Sequence, residues 1–127
     1  MKKLFSILFS AIIIFLLSGC TTTKSYTFKV TTNDNIKITL RTNNGYDISS
    51  DVPFELKKNK EIISYGFFIT IESYNEYQDL INNNDKVELI ENNSNDDIDY
   101  LFYKYDTDIP EYNYVIKIKN SNTGMII

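Results

Sequence analysis

The chain has no histidine and no tryptophan, one cysteine, one arginine, two prolines and four glycines among its 127 residues. Each shortage closes off some chemistry. Without histidine there is no Ser-His-Asp arrangement, no imidazole base and no imidazole ligand for zinc. With one thiol there is no intramolecular disulfide and no thiolate cluster for a metal. Gly45, Gly66 and Gly124 stand alone, so no glycine-rich loop is available to cradle a phosphate. Positive charge is also scarce. Thirteen bases face 17 acids, for a formal net charge of −4, and nucleic-acid affinity rests on clustered Lys and Arg. A nucleic-acid partner is therefore not expected.

Long apolar runs are equally rare, and the one present lies at the start of the chain. Lys2 and Lys3 give a positive beginning, and Leu4 to Leu17 form an almost wholly apolar core diluted by Ser6 and Ser10. A membrane-spanning helix needs roughly 20 apolar residues, so this run suits an export signal better than a permanent span. Ser18 and Gly19 then offer a peptidase little bulk, and the lone thiol, Cys20, comes next. Leu17-Ser18-Gly19-Cys20 resembles the lipobox of bacterial lipoprotein precursors, and the flanking lysines and apolar core match the rest of that signal.

The resemblance covers about the first twenty residues. It implies that the Cys20 thiol receives a diacylglyceryl group and that cleavage falls between Gly19 and Cys20, making Cys20 the new N-terminus. Two acyl chains give a stable anchor, since each buried methylene contributes about 0.8 kcal/mol and one chain alone holds only marginally. The expected location is then the extracytoplasmic side of the cell membrane. An ordinary secretory signal with a free or intermolecularly bonded cysteine, or an uncleaved anchor with Cys20 idle, are the alternatives. Thr21 after the cysteine, rather than aspartate, gives no signal for inner-membrane retention. The Asn-, Ile-, Lys- and Tyr-rich composition is what AT-rich coding produces, and it leans toward a single-membrane envelope.

Removal of residues 1–19 leaves 108 residues, enough for one domain that buries roughly 60–70% of its unfolded surface. The formal charge becomes −6, because Lys2 and Lys3 leave while all 17 acids stay. That charge repels anionic lipid and wall polymers and favours a cationic partner. Residues 20–25 read as the lipidated N-terminus and a polar tether, and 26–127 as a single globular domain.

Strand patterns dominate that domain. Tyr26, Phe28 and Val30 alternate with polar residues, Asn33-Asp34-Asn35 makes a turn, and Ile36, Ile38 and Leu40 alternate again, which predicts a hairpin. Short extended pieces are expected at Tyr46–Ser49 and Phe54–Lys57. In the next segment, Ile63, Tyr65, Phe67, Ile69 and Ile71 form an unbroken apolar row, expected to face the core, opposite the mixed row of Ile62, Ser64, Gly66, Phe68 and Thr70. Ser73 and Glu76 have capping-box spacing, and Tyr74, Tyr77, Leu80 and Ile81 then share one helical face. Strand character resumes at Lys86–Glu91, Ile98–Tyr105 and Tyr112–Lys119, with Tyr112, Tyr114, Ile116 and Ile118 expected inward. Met125-Ile126-Ile127 reads either as an edge strand or as the start of an element cut short. The expected fold class is α+β, a mainly antiparallel sheet of about six to seven strands packed with one short helix, the alternative being an all-β sandwich.

Three constellations carry candidate chemistry. Glycoside hydrolysis needs two carboxylates across a cleft, and Glu72 with Glu76, or Asp106, Asp108 and Glu111, supply acids. Solvated loop acids and a helix cap are the commoner use of such residues, so no catalytic residue is assigned and an enzyme is not expected. Asn92 to Asp99 group oxygen ligands, but without the glycine and closing glutamate of a calcium loop they read as a polar turn, and no metal or cofactor is assigned. Tyr100, Tyr103, Tyr105, Tyr112 and Tyr114 cluster near the end of the chain; Tyr103 and Tyr105 are the candidates for an exposed ligand-binding surface, since aromatic faces attract cations. The function expected is a non-enzymatic, membrane-anchored binding or envelope-structural module. The alternative is a protective lipoprotein, similar in size and anchoring to immunity lipoproteins that capture cationic peptides at the cell surface.

Overall fold

Period-two patterning becomes nine strands among the described residues, every pairing antiparallel, together with one α-helix and a single 3-10 turn at Asn43–Gly45. The computed structural model describes residues 22–127, so the export signal, Gly19 and Cys20 lie outside it. β1 (Thr23–Lys29) and β2 (Asn35–Arg41) pair only with each other. The other seven strands form one sheet. These are β3 (Tyr46–Ile48), β4 (Phe54–Lys58), β5 (Glu61–Thr70), β6 (Val87–Ser94), β7 (Ile98–Tyr105), β8 (Glu111–Ile118) and β9 (Thr123–Ile126), in the order β3-β4-β5-β9-β8-β7-β6. The helix α1 (Ile71–Asn83) leaves directly from β5.

The expected hairpin forms in the expected turn, with Asn33 in the left-handed region at φ 67°. It begins earlier than its apolar alternation: Thr23, Lys24 and Ser25 already pair with Arg41, Leu40 and Thr39, so the tether expected over 20–25 loses its last three residues to β1. Phe28, Val30 and Ile36 bury their side chains against Ile48 and Phe54. The rings of Phe28, Phe54 and Phe68 stand 5.3 to 5.7 Å apart, within the range of favourable aromatic pairing. Gly66, opposite Phe54 in register, makes room for that fully buried ring, since a Cβ there would come within 1.9 Å of it. The hairpin turn is tied to the start of β9 by Asp34, whose Oδ2 accepts hydrogen bonds from Thr123 Oγ1 (2.7 Å) and Asn122 N (2.8 Å). Thr123 is fully buried, and these bonds, led by that from Thr123, hold the Asp34 carboxyl below its ordinary pKa.

The helix closes the other half. Its N-cap is Thr70, whose hydroxyl accepts a hydrogen bond from Ser73 N, so the predicted Ser73–Glu76 box lies three residues too late. Tyr74 and Ile81, seven residues apart, are buried against Leu101, Tyr103 and Val115 of β7 and β8. Tyr77 is partly buried, whereas Leu80, expected on the same face, is exposed because the helix meets the sheet along a narrower stripe.

Hairpin and helix cover opposite faces of the one sheet. Successive strand residues point to opposite faces, and Phe54 and Phe68 pack under the hairpin while Ile69 and Ile126 pack under the helix. This overturns the expected orientation of β5. Its mixed row, with Gly66 and Phe68, faces the hairpin core, and its apolar row stays half open: Ile63, Tyr65 and Phe67 remain 56%, 48% and 49% exposed. The C-terminal strand is also misplaced by sequence reading, since β9 lies between β5 and β8 in the middle of the sheet.

Candidate functional site

Where the hairpin stops, the β7 and β8 side chains on its face of the sheet are left without a cover among the described residues. Register places Phe102 opposite Tyr114, and Tyr100 and Tyr112 fall on the same face two residues away along their strands. Phe102 stacks on Tyr114 with ring centroids 4.4 Å apart and on Tyr112 at 6.1 Å, and Tyr100 leans on Tyr114 at 5.9 Å. The result is a zigzag ladder of four rings. Tyr112 is 59% exposed and Tyr114 is exposed beside it, while Phe102 and Tyr100 are half-buried.

The edge strand β6 supplies the ladder's charged border. Glu91 pairs with Phe102 on this face, and Tyr100 Oη donates a 2.7 Å hydrogen bond to Glu91 Oε1. That bond, followed by burial, raises the Tyr100 pKa, so the phenol remains a donor and holds the carboxylate at the rim. Glu88, opposite Lys104, lies on the same face, and Lys104 is engaged by Asp106 at 3.6 Å. Aromatic faces bounded by a fixed carboxylate can hold a cation by ring quadrupole and charge together.

The tyrosines chosen from sequence are divided by the sheet. Tyr103 is 8% exposed and belongs to the helix-side core, where burial raises its pKa, and this corrects the expectation that it is exposed. Tyr105, two residues on and on the same face, is half-buried opposite Val87 and Glu111. Tyr112 and Tyr114, expected inward, are instead the open ones; at the centre of β8 it is Val115 and Ile116, one on each face, that are buried. Phe102 and Glu91 were missed. Parity alone would have joined Tyr100 to Phe102 and parted both from Tyr103 and Tyr105.

The remaining candidates stay apart. Glu72 and Glu76 lie in the first turns of α1, and Asp106, Asp108 and Glu111 lie at the β7–β8 connection. In the segment Asn92 to Asp99 the first three residues belong to β6, and Asn95 Oδ1 accepts hydrogen bonds from Asp97 N and Ile98 N. Lys119 Nζ donates to Ser94 Oγ (2.9 Å) and to the Asn95 carbonyl (2.6 Å), and approaches Asp99 at 3.4 Å. An ammonium group thus occupies the oxygen cluster. Among the described residues no group of three or more His, Cys, Asp or Glu side chains is placed to hold a metal ion, and no helix is long and apolar enough to cross a membrane. No family model, curated protein or solved structure matches the chain.

Proposed function

We propose that this chain is a lipid-anchored, extracytoplasmic binding module, non-enzymatic, that takes a cationic peptide or protein segment on the ladder of Tyr112, Phe102, Tyr114 and Tyr100. The observation that carries the reading is the uncovered stack of rings with Glu91 fixed at its border by Tyr100. Lys or Arg side chains laid across it gain cation–π attraction at the rings and a charge-assisted hydrogen bond at the carboxylate. The acidic charge of the mature chain favours approach of such a partner over long range. The lipobox resemblance at Leu17–Cys20 supports the anchor, through a diacylglyceryl group on Cys20, and capture at the membrane surface is the protective role this arrangement suits. We class the domain as α+β because α1 supplies Tyr74 and Ile81 to the second core, a share that a helix-free sandwich would fill with strands.

A lysine-rich peptide titrated into the protein by calorimetry tests the binding reading. Binding is expected at low ionic strength and should weaken steeply as salt shortens the Debye length from about 10 Å to about 3 Å. Glu91→Gln should weaken it about tenfold while leaving the fold unchanged, the loss of one charge-assisted contact. Salt-insensitive binding, or none, would refute it.

A further inference from the structure

The end of the domain from which the chain leads back to Cys20 has a composition unlike the rest. Thr22 is the first described residue, two positions after Cys20 in sequence, and its carbonyl accepts a 2.9 Å hydrogen bond from Thr42 N. Around this point the start of β1, the end of β2, the start of β3 and the β4–β5 turn come together. Five of the eleven bases that follow Cys20 lie here (Lys24, Arg41, Lys57, Lys58 and Lys60), with only three of the seventeen acids, Asp47, Glu55 and Glu61. The rest of the domain carries six bases against fourteen acids. Charge is therefore segregated by position, and the net value of −6 conceals a basic end.

The acids at this end are used internally. Lys24 pairs with Asp47 at 2.7 Å and Lys57 with Glu55 at 2.8 Å. Arg41 and Lys60 point into solvent, and Lys58 lies over the Tyr46 ring at 5.0 Å. Tyr46 separates two open depressions of about 750 and 550 Å³, the first lined by Lys24, Lys57 and Lys60 and the second by Arg41. Beside them stand two large exposed apolar side chains, Ile62 and Ile63; the register shift that pairs Lys57 with Ile62 and Leu56 with Ser64 leaves Ile63 outside the ladder. Exposed cations, a tyrosine and two isoleucines, one of them bulged, are the groups that settle at a bilayer surface, the cations on phosphate and the others among the headgroups. The acidic β7–β8 connection lies about three strand positions away, and at about 20–25° of twist per strand it diverges from this end by about 60–75°.

We infer that the basic end formed by Arg41, Tyr46, Lys58, Lys60 and Ile63 seats on the phosphates of anionic phospholipid headgroups and fixes how the anchored domain stands on its membrane. The inference rests on the Cys20 anchor.

Because the chain has no tryptophan, Tyr46→Trp introduces a sole indole at the contact. The mature lipidated protein carrying this substitution is reconstituted on phosphatidylcholine vesicles and on the same vesicles containing phosphatidylglycerol. Flotation is expected with both, and a blue shift of indole emission, with quenching by bromolipids, only where phosphatidylglycerol is present. Lys58→Glu with Lys60→Glu, both exposed positions, should abolish that shift while flotation persists; in the otherwise native chain, acylation of Lys58 and Lys60 should fall about fivefold against Lys37 and Lys117 on the anionic vesicles. Flotation with identical emission on the two vesicles would overturn the docking and leave the anchor standing. Failure to float with either, together with an unmodified Cys20 by mass spectrometry, would overturn the anchor and the docking with it.

Discussion

The two halves of the sheet are built on the same pattern and closed from opposite sides. At the β4–β5 half the hairpin covers one face with Phe28, Val30 and Ile36, and the other face leaves Ile63, Tyr65 and Phe67 half open. At the β7–β8 half the helix covers the other face with Tyr74 and Ile81, and the hairpin's face is left to the aromatic ladder. One sheet therefore has two cores and two open faces, and the open faces differ in chemistry. The first is aliphatic and aromatic and adjoins the basic end, whereas the second is a run of rings bordered by Glu91, Glu88 and the Asp106-paired Lys104. A face stays open where its cover ends, and here the covers are placed diagonally.

The largest way to break this comparison is to empty the hairpin-side core. Phe54→Ala removes a fully buried ring that two other phenylalanines touch, and should cost about 3–5 kcal/mol in chemical denaturation. Ile81→Ala does the same to the helix side, at about 2–4 kcal/mol. If the halves form one cooperative unit, the two variants will keep a single unfolding transition with an unchanged denaturant slope. A sharper version uses neighbours on opposite faces: Phe68→Ala should cost about 1.5–3 kcal/mol, and Phe67→Ala less than about 1 kcal/mol, since only the first joins the ring triad. Thr70→Ala removes the cap of the helix and should cost about 1 kcal/mol, seen in the same denaturation series.

The smallest effect concerns acidity. Asp34, Asp47 and Asp99 have carboxyl pKa values lowered in the fold, by hydrogen bonds led by Thr123, Lys24 and Ser94 respectively. A lowered folded value means that their contribution is fully present above the unfolded carboxylate pKa of about 4 and is lost as pH falls through the folded value. Stability should accordingly be flat from neutral pH down to about 5 and decline below about 4, and Asp34→Asn should shallow that decline. Thermal melts across this range will read it. A decline that begins near neutrality would contradict it.

Much of the fold is written in local pattern. The hairpin, the short strands β3 and β4, the helix with Tyr74 and Ile81, and β7 with its bounds at Ile98 and Tyr105 all follow from alternation, turn residues and spacing. The faces do not. Period two separates Phe67 from Phe68 but cannot say which is inside, because the hairpin that covers Phe68 lies some forty residues earlier in the chain and no local signal reports where it docks. The same gap misassigned Tyr103 and Tyr112. The position of β9 at the sheet centre was illegible for a related reason, since its four residues gain their neighbours only from β5 and β8, distant in sequence. The proposed lipobox at Leu17–Cys20 rests on local sequence alone, whereas the basic end emerges only when residues 24, 41, 57, 58 and 60 are brought together in space.

The central claim is that the ladder face, and not the β5 face, receives a cationic partner. Backbone amide shifts followed by NMR during titration with a lysine-rich peptide test it most directly, in the native chain, in Tyr112→Ala with Tyr114→Ala, and in Tyr65→Ala with Phe67→Ala. The account predicts shifts confined to β6, β7 and β8, an affinity reduced at least about tenfold by the first pair, as removal of two exposed cation–π partners implies, and no change with the second. Shifts centred on β5, or equal losses from both pairs, would contradict it.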